Sequence, residues 1–413
     1  MDHQIKHFDI IIVGAGVVGS ALACALGGSS LQVAVVESNP VSFEWPQQSE
    51  AIDGYDLRVS ALTLASQQFL QDLDVWPALL ARRVSPYTQM HVWDAEGTGN
   101  ITFDAAEINQ PSLGHIVENR VTAMALLRRL QQHRNVTLSA PAKVQKIDWL
   151  EGGSEYSSGQ VHQLILEDGG RLSAPLIVAA DGANSSIRQL AGFQTREWDY
   201  HHHAIVATVK SQLPHQQTAW QRFLPEGPLA FLPLTTAASE QHYCSIVWSA
   251  LPAYADNLMQ LSDEEFCRAL GRAFEYRLGD IITVSRRFEL PLRQRHAIDY
   301  IQPGLALVGD AAHTIHPLAG QGVNLGLMDV QVLSEELLRA NQRQIDLGSL
   351  AVLSRYQRRR KAANLGMMVG MEGFKRLFAQ PALPVRWART AGMRWLDQTT
   401  SLKRRVIREA VGL

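Results

Sequence analysis

The chain has little sulfur and no long apolar run. Its 413 residues include three cysteines, Cys24, Cys244 and Cys267. They are too few and too scattered for a disulfide framework or a metal cluster. Each is expected to pack as a small apolar side chain in a reducing, cytoplasmic setting. The first apolar stretch, Ile10 to Val18, is interrupted by Gly14 and Gly16. It is too short for a signal peptide, and no other segment approaches the ~20 continuous apolar residues that crossing a bilayer requires. The mature protein is therefore expected to begin at or near Met1. Net charge of one sign is also lacking. Thirty-eight Lys and Arg against 40 Asp and Glu leave −2, so nothing global points to nucleic acid. Repeats and low-complexity tracts are absent. At 46% apolar and 19% charged, the chain can build two or three domains with well-formed cores.

What is present is a set of strand-then-glycine turns. Phe8 to Val13 reads as a buried strand, Gly14-Ala-Gly-Val-Val-Gly19 as a G-x-G-x-x-G turn, and Val17 to Leu26 as a helix packed closely on a sheet. Leu31 to Val36 is a second strand ending at Glu37, a little over twenty residues after Gly14. Gly14, Gly16 and Gly19 suit a pyrophosphate on a helix N-terminus. Glu37 suits a free ribose hydroxyl rather than a 2′-phosphate. This motif alone does not separate NAD from FAD. Two more runs have the same character. Leu172 to Ala180 reads as a strand leading into Asp181-Gly182, and Leu305 to Val308 as a strand leading into Gly309-Asp310. The second continues through Pro317, Gly320 and Gly322 into a helix from about Val323 or Asn324 to Ala340. An acid and bare backbone amides delivered to a helix N-terminus make a site for an anionic or polarised ligand.

Between these segments the pattern changes. Residues 198–250 alternate, with Ala204–Val209, Leu229–Leu232 and Tyr243–Trp248 as antiparallel strands of a second sheet. Pro40 to Asp56 reads as a loop, Ala61 to Leu73 and the stretch from Asn119 to Leu130 as helices, and Glu151 to Gln160 as a polar hairpin-like excursion. Asp263 to Leu278 reads as a helix capped by Ser262, and the chain after residue 346 as helical.

The three motifs, in this order, resemble the class A flavoprotein aromatic hydroxylases of the para-hydroxybenzoate hydroxylase type. The runs Gly114–Asn119, Trp198–Tyr200, Ala230–Leu234, Cys244–Trp248 and Leu305–Gly326 look like the ubiquinone-biosynthesis hydroxylases in particular, over nearly the full chain. The run around Trp198 is similar to the C5 hydroxylases. Ile301–Gly304 and Leu402–Arg405 are more similar to the demethoxyubiquinol hydroxylases, so the hydroxylated carbon stays open. The resemblance implies an α/β fold, a Rossmann-like FAD-binding domain interleaved with an antiparallel-sheet substrate domain, and a helical C-terminal tail. It allots 1–110, 114–195 and 290–345 to FAD binding, 196–289 to substrate and 346–413 to the tail. FAD and NAD(P)H are the implied cofactors. The family would use Gly14, Gly16, Gly19 and Glu37 for the ADP half. Asp181 and Gly182 would serve both cofactors. Gly309 and Asp310 would meet the ribitol, Arg58 the FAD, and Pro317, Gly320, Gly322 and Asn324 the flavin ring.

The implied reaction transfers one hydroxyl from O2 to the electron-rich ring of a polyprenylated phenol or quinol. His313 and His316 stand where a base could sit, but equally where a histidine satisfies turn backbone, so no catalytic base is assigned. His201-His-His203 lacks a third ligand at metal spacing, and no metal is expected. Phe223, Leu229, Phe231, Leu232 and Trp248 offer an apolar wall or simply a core. From Gly370 to Leu413, nine Lys or Arg oppose three acids, a net +6 interspersed with aromatics. This is the pattern of a peripheral contact with the inner membrane surface or a biosynthetic complex, or of a solvated helix face. Two other readings share the fold: a geranylgeranyl-type prenyl reductase, and a non-catalytic prenyl-binding protein like the Rab GDP-dissociation inhibitors.

Overall fold

The computed structural model describes residues 5–47, 51–149, 162–236, 239–314, 322–380 and 382–413. Pro317, Gly320, His316 and the Glu151–Gln160 excursion lie outside these residues. Four β-branched residues in a row, Ile10–Val13, make a fully buried central strand with no polar face, as a parallel sheet covered on both sides requires. It lies in a six-stranded sheet beside Val33–Val36 and Leu176–Ala179, the latter next to Leu305–Leu307. All these neighbours are parallel, and every residue of Ile10–Val13 and Leu176–Ala179 is buried. Helices Val17–Ala25, Asn119–Leu130 and Gly322–Gln342 pack on this sheet to form the main core.

The stretch Leu172–Ala180 is not one strand. It breaks at Pro175, which cannot donate to a ladder. Arg171–Ala174 joins a four-stranded sheet and Leu176–Ala179 the six-stranded one. Ala61–Leu73 divides as well: Val59–Thr63 is a strand, and the helix is Leu64–Asp72, started by the Thr63 side chain accepting from the Ser66 amide. Helix Asp263–Ala273 is shorter than expected and begins at a Ser262–Glu265 capping box.

The second sheet has nine strands, with Thr195–Ser211, Thr218–Leu224, Gly227–Leu234 and Tyr243–Ala250 at its centre. It also takes in Gln89–Asp94, Asn100–Asp104 and Phe288–Ala297, from stretches allotted by sequence to cofactor binding. Gln89–Asp94 pairs with Thr218–Leu224 and Phe288–Ala297 with Thr195–Ser211, partners distant in sequence, and local patterning carries no record of that pairing. Leu229, Phe231 and Trp248 point to helices Pro252–Gln260 and Asp263–Ala273, forming one core. Ala219, Leu232, Leu234 and Tyr243 point the other way, toward Tyr55, Ala61 and Ile116. The expected apolar wall is therefore split between the two faces by strand alternation.

Candidate active site

The three motifs meet because their strands are neighbours. Val13 pairs with Ala179 and Ala179 with Leu307, so Gly14, Asp181 and Gly309 emerge side by side at the carboxyl edge of one parallel sheet. That edge is where open α/β sheets bind ligands. The Ala180 amide donates to Val13 O (2.8 Å) and the Val308 amide to Ala179 O (3.0 Å), extending the ladder into the turns.

Gly14 has φ +105°, and a Cβ there would lie 2.4 Å from Ala180 O. Only glycine tolerates both the conformation and the approach. A Cβ on Gly19 would lie 1.9 Å from Gly14 O. Glu37 accepts from the Ala15 amide (2.9 Å) and the Asn39 amide (2.9 Å). Partial burial pushes its carboxyl up, but these donors outweigh it and the net shift is downward. The acid thus shapes the glycine turn while standing at its rim.

Asp181 accepts from the Ser186 hydroxyl and the Ile187 amide, so one oxygen starts the helix Ser186–Leu190. Its other oxygen is buried with no partner among the described residues. Arg188, 3% exposed, donates to Ala311 O (2.9 Å) and Ala183 O (2.8 Å), tying the second motif to the third. Sequence reasoning gave Arg188 no role.

Asp310 has an exposed side chain facing the open side of its turn. Crowding by surrounding protein pushes its carboxyl above the usual range, while the His313 and Arg58 charges pull it down. Arg58, also exposed, is therefore close enough to act on Asp310. The loop carrying Arg58 is held by Glu118, 2% exposed. Glu118 pairs with Arg83 (2.9 Å) and Arg120 (2.8 Å) and accepts from the Asp56 amide.

Behind Gly309 lies a charge network with no exposed member. Asp329, 0% exposed, accepts from His313 Nε2, the Gly309 amide, Arg360 Nε and Asn364 Nδ2. Burial opposes its charge, but His313 and Arg360 hold its carboxyl below the ordinary range. His313 is thus a structural histidine and contributes no part of the apolar gap described next. Asn324 is likewise occupied: its amide donates to Ala61 O (2.8 Å) and accepts from the Thr63 amide (3.0 Å). That leaves its backbone, not its side chain, to face a ligand.

Ala61 also borders a small apolar gap of about 20 Å³ between the nine-stranded sheet and a three-stranded sheet of Val59–Thr63, Gly114–Glu118 and Val84–Tyr87, lined by Tyr87, Met90, Ala219, Gln221 and Leu232 among others. Gln221 is 6% exposed. A larger surface depression, between helix Asp263–Ala273 and strand Ile281–Val284, touches none of the motif residues.

A parallel sheet with glycine–acid turns converging at its carboxyl edge, joined to a second, largely antiparallel sheet, defines a dinucleotide-binding flavoprotein of the two-sheet type. Residues 7–368 match the FAD binding domain family. The chain is 38% identical over 406 residues to the 3-demethoxyubiquinol 3-hydroxylase of Escherichia coli (strain K12), covering 98% of each. It is 37% identical to the ubiquinone hydroxylase UbiL of Rhodospirillum rubrum (98% of this chain, 90% of that one). It is 32% identical to the human mitochondrial ubiquinone biosynthesis monooxygenase COQ6 (97% and 92%). The p-nitrophenol 4-monooxygenase PnpA of Pseudomonas putida superposes with a TM-score of 0.75 over 98% of this chain and 99% of that one; at 18% identity it speaks for the fold alone. The chain belongs to the FAD-dependent aromatic hydroxylases of ubiquinone biosynthesis.

The residues present fit FAD. A Cβ at Gly16, Gly182 or Gly322 would meet nothing within 4 Å, so all three turns border open space. The unpartnered Asp181 oxygen and the Asp310 carboxylate, with no hydrogen bond to its side chain among the described residues, are acceptors suited to hydroxyl groups of a ribose or ribitol.

Proposed function

We propose that the protein hydroxylates the aromatic ring of a polyprenylated phenol or quinol in ubiquinone biosynthesis, using NAD(P)H and O2. The observation that carries this reading is the convergence of the three turns at one sheet edge, with Asn324 anchored on Ala61, a residue that borders the apolar gap under the nine-stranded sheet. The FAD supplies, when bound, the activation of O2 and transfer of its oxygen to the ring.

The chain's own residues position, enclose and polarise. Gly14, Gly16 and Gly19 receive the pyrophosphate at the N-terminus of helix Val17–Ala25, and Glu37 takes a ribose hydroxyl. Asp310 takes the ribitol, with Arg58 beside it, and Asp181 and Gly182 border the same groove. The first amides of helix Gly322–Gln342, from Gly322 to Asn324, would offer their positive dipole end to the flavin ring. By the family resemblance Pro317 and Gly320, outside the described residues, would also meet the flavin. Tyr87, Met90, Ala219 and Leu232 supply apolar surface for the ring, and Gln221 among them offers an amide suited to a ring hydroxyl. With His313 committed to Asp329, the substrate's own hydroxyl groups activate the ring. The chain would work on the cytoplasmic side, meeting its lipid-soluble substrate or partner enzymes through residues 346–413.

Purified protein should be yellow and should oxidise NAD(P)H with stoichiometric O2 uptake only when a quinol is added. Turnover without O2 would instead identify a prenyl reductase. Protein that stays colourless after FAD is added would identify a binding protein. Deleting the gene and identifying the accumulated precursor by mass spectrometry fixes the ring carbon.

A further inference from the structure

Three basic side chains of the C-terminal region, Arg386, Arg389 and Lys403, turn inward. Arg389, 3% exposed, pairs with buried Asp94 and donates to the Leu377 and Phe378 carbonyls. Arg386 pairs with Glu96, and Lys403 bridges Glu107 and Asp397. These contacts pin helices Leu383–Gln398 and Thr400–Val411 to the edge of the nine-stranded sheet. Glycine at 97 and 99 gives Thr390 and Met393 room to approach.

With that inward face committed, the outward face of Leu383–Gln398 is mostly apolar, broken by Arg394 and Gln398. Leu383 is 64% exposed, Trp387 77% and Trp395 60%, with exposed Ala388, Ala391 and Gly392 between them. The later half of the preceding helix, Leu350–Ala379, matches it. From Ala362 to Met371 there is no charged residue, and Leu365, Met367 and Val369 are exposed. An apolar surface spread over two successive helices is not what a freely soluble face looks like.

We propose that the outward face of these two helices is a bilayer-docking surface, resting in the headgroup–acyl boundary of an anionic membrane and taking the polyprenylated substrate from it. The proposal rests on the reading that the substrate is a prenyl lipid. Two observations select a lipid surface. Trp387 and Trp395 are the amphipathic aromatics that settle at a membrane interface. Exposed Arg394, Arg404, Arg405 and Arg408 in the same region, against one exposed acid, Glu409, complement anionic headgroups. The helix that carries part of it also packs on the sheet through its buried end. Phe378 stacks on Phe223 at 3.9 Å, and Phe223 shares its strand face with Gln221 of the gap's wall. No helix among the described residues is long and apolar enough to cross a membrane, so the surface lies on the bilayer rather than through it.

The test compares the full-length holoenzyme with the triple variant Leu383→Gln, Trp387→Gln, Trp395→Gln, all at exposed positions. The parent should sediment with phosphatidylglycerol–phosphatidylethanolamine vesicles and shift its tryptophan emission to the blue. The variant should bind about tenfold or more weakly, because buried apolar area sets interfacial affinity. It should keep its FAD content and its turnover of a water-soluble short-chain quinol, but lose turnover of long-chain substrate embedded in vesicles. A parent that ignores vesicles, or a variant that binds equally well, overturns the proposal. So does a variant that converts a dimer to a monomer, which would make the surface a contact between copies. Vesicle binding needs no turnover. A parent that binds vesicles but hydroxylates no quinol would therefore refute the reaction and not the surface.

Discussion

Replacing Asp329 by Asn tests the buried network behind Gly309 with almost no change of shape. The carboxylate accepts from four donors, His313 Nε2 at 2.5 Å, Arg360 Nε at 2.7 Å, the Gly309 amide at 3.1 Å and Asn364 Nδ2 at 3.2 Å. An amide offers one acceptor oxygen, so two donors would face an NH2 group. The Arg360 charge would also lose its partner at a site with 0% exposure. Breaking a buried pair by removing one charge costs about 3–5 kcal/mol. Unfolding entropy of ~2.1 cal/mol/K per residue gives roughly 0.9 kcal/mol/K for 413 residues, so Tm should fall by about 3–6 °C. FAD affinity should fall too, because the Gly309 amide sits in the cofactor turn. Differential scanning fluorimetry of apo and FAD-loaded protein, with fluorescence titration of FAD, measures both. The double variant Asp329→Asn, Arg360→Gln should lose less than the sum of its parts, since the two groups share one interaction. A single variant melting within 1 °C of the parent with unchanged FAD affinity would refute the role given to this network.

Gly14→Ala places a Cβ 2.4 Å from Ala180 O at φ +105°, so FAD binding should weaken by about tenfold or more, read as loss of yellow colour after gel filtration. Glu118→Gln leaves Arg83 and Arg120 underpaired and loosens the loop bearing Arg58; the FAD dissociation constant should rise while short-chain quinol KM changes less. Gln221→Leu keeps an apolar lining in the gap but removes its amide, so quinol KM should rise with FAD affinity unchanged. Burial holds His215 and His296 at about 4, below their ordinary 6.5. The unfolded chain then binds more protons than the native one between these values, so stability must fall as pH drops from 6.5 toward 4, by on the order of 2–3 kcal/mol per histidine. A flat Tm across that window would refute it.

Local patterning was enough wherever one segment contains its own reason. Ile10–Val13 has no polar face, Gly14–Gly19 opens a helix, and Glu37 closes the next strand, so that unit was legible without partners. The long helix after Gly322 and the Ser262 cap were legible on the same ground. Thr63 and Pro175 show the limit. Each carries a local breaking signal, a cap and a missing amide, inside a run whose apolar period hid it.

What the chain's order alone determined is therefore the chemistry on offer: three acids, each next to a glycine turn or at its rim, and the family that uses them. Only the tertiary structure decided which groups are free to act. His313 is tied up by Asp329, which is 16 residues away, and the Asn324 side chain by Ala61, 263 residues away. The tail's Arg389 is neutralised by Asp94, 295 residues away. A side chain's availability depends on what packs against it from distant segments, and no local period or spacing encodes that. The same pairing withdrew Arg386, Arg389 and Lys403 from the surface and left exposed tryptophans beside the remaining arginines of the tail.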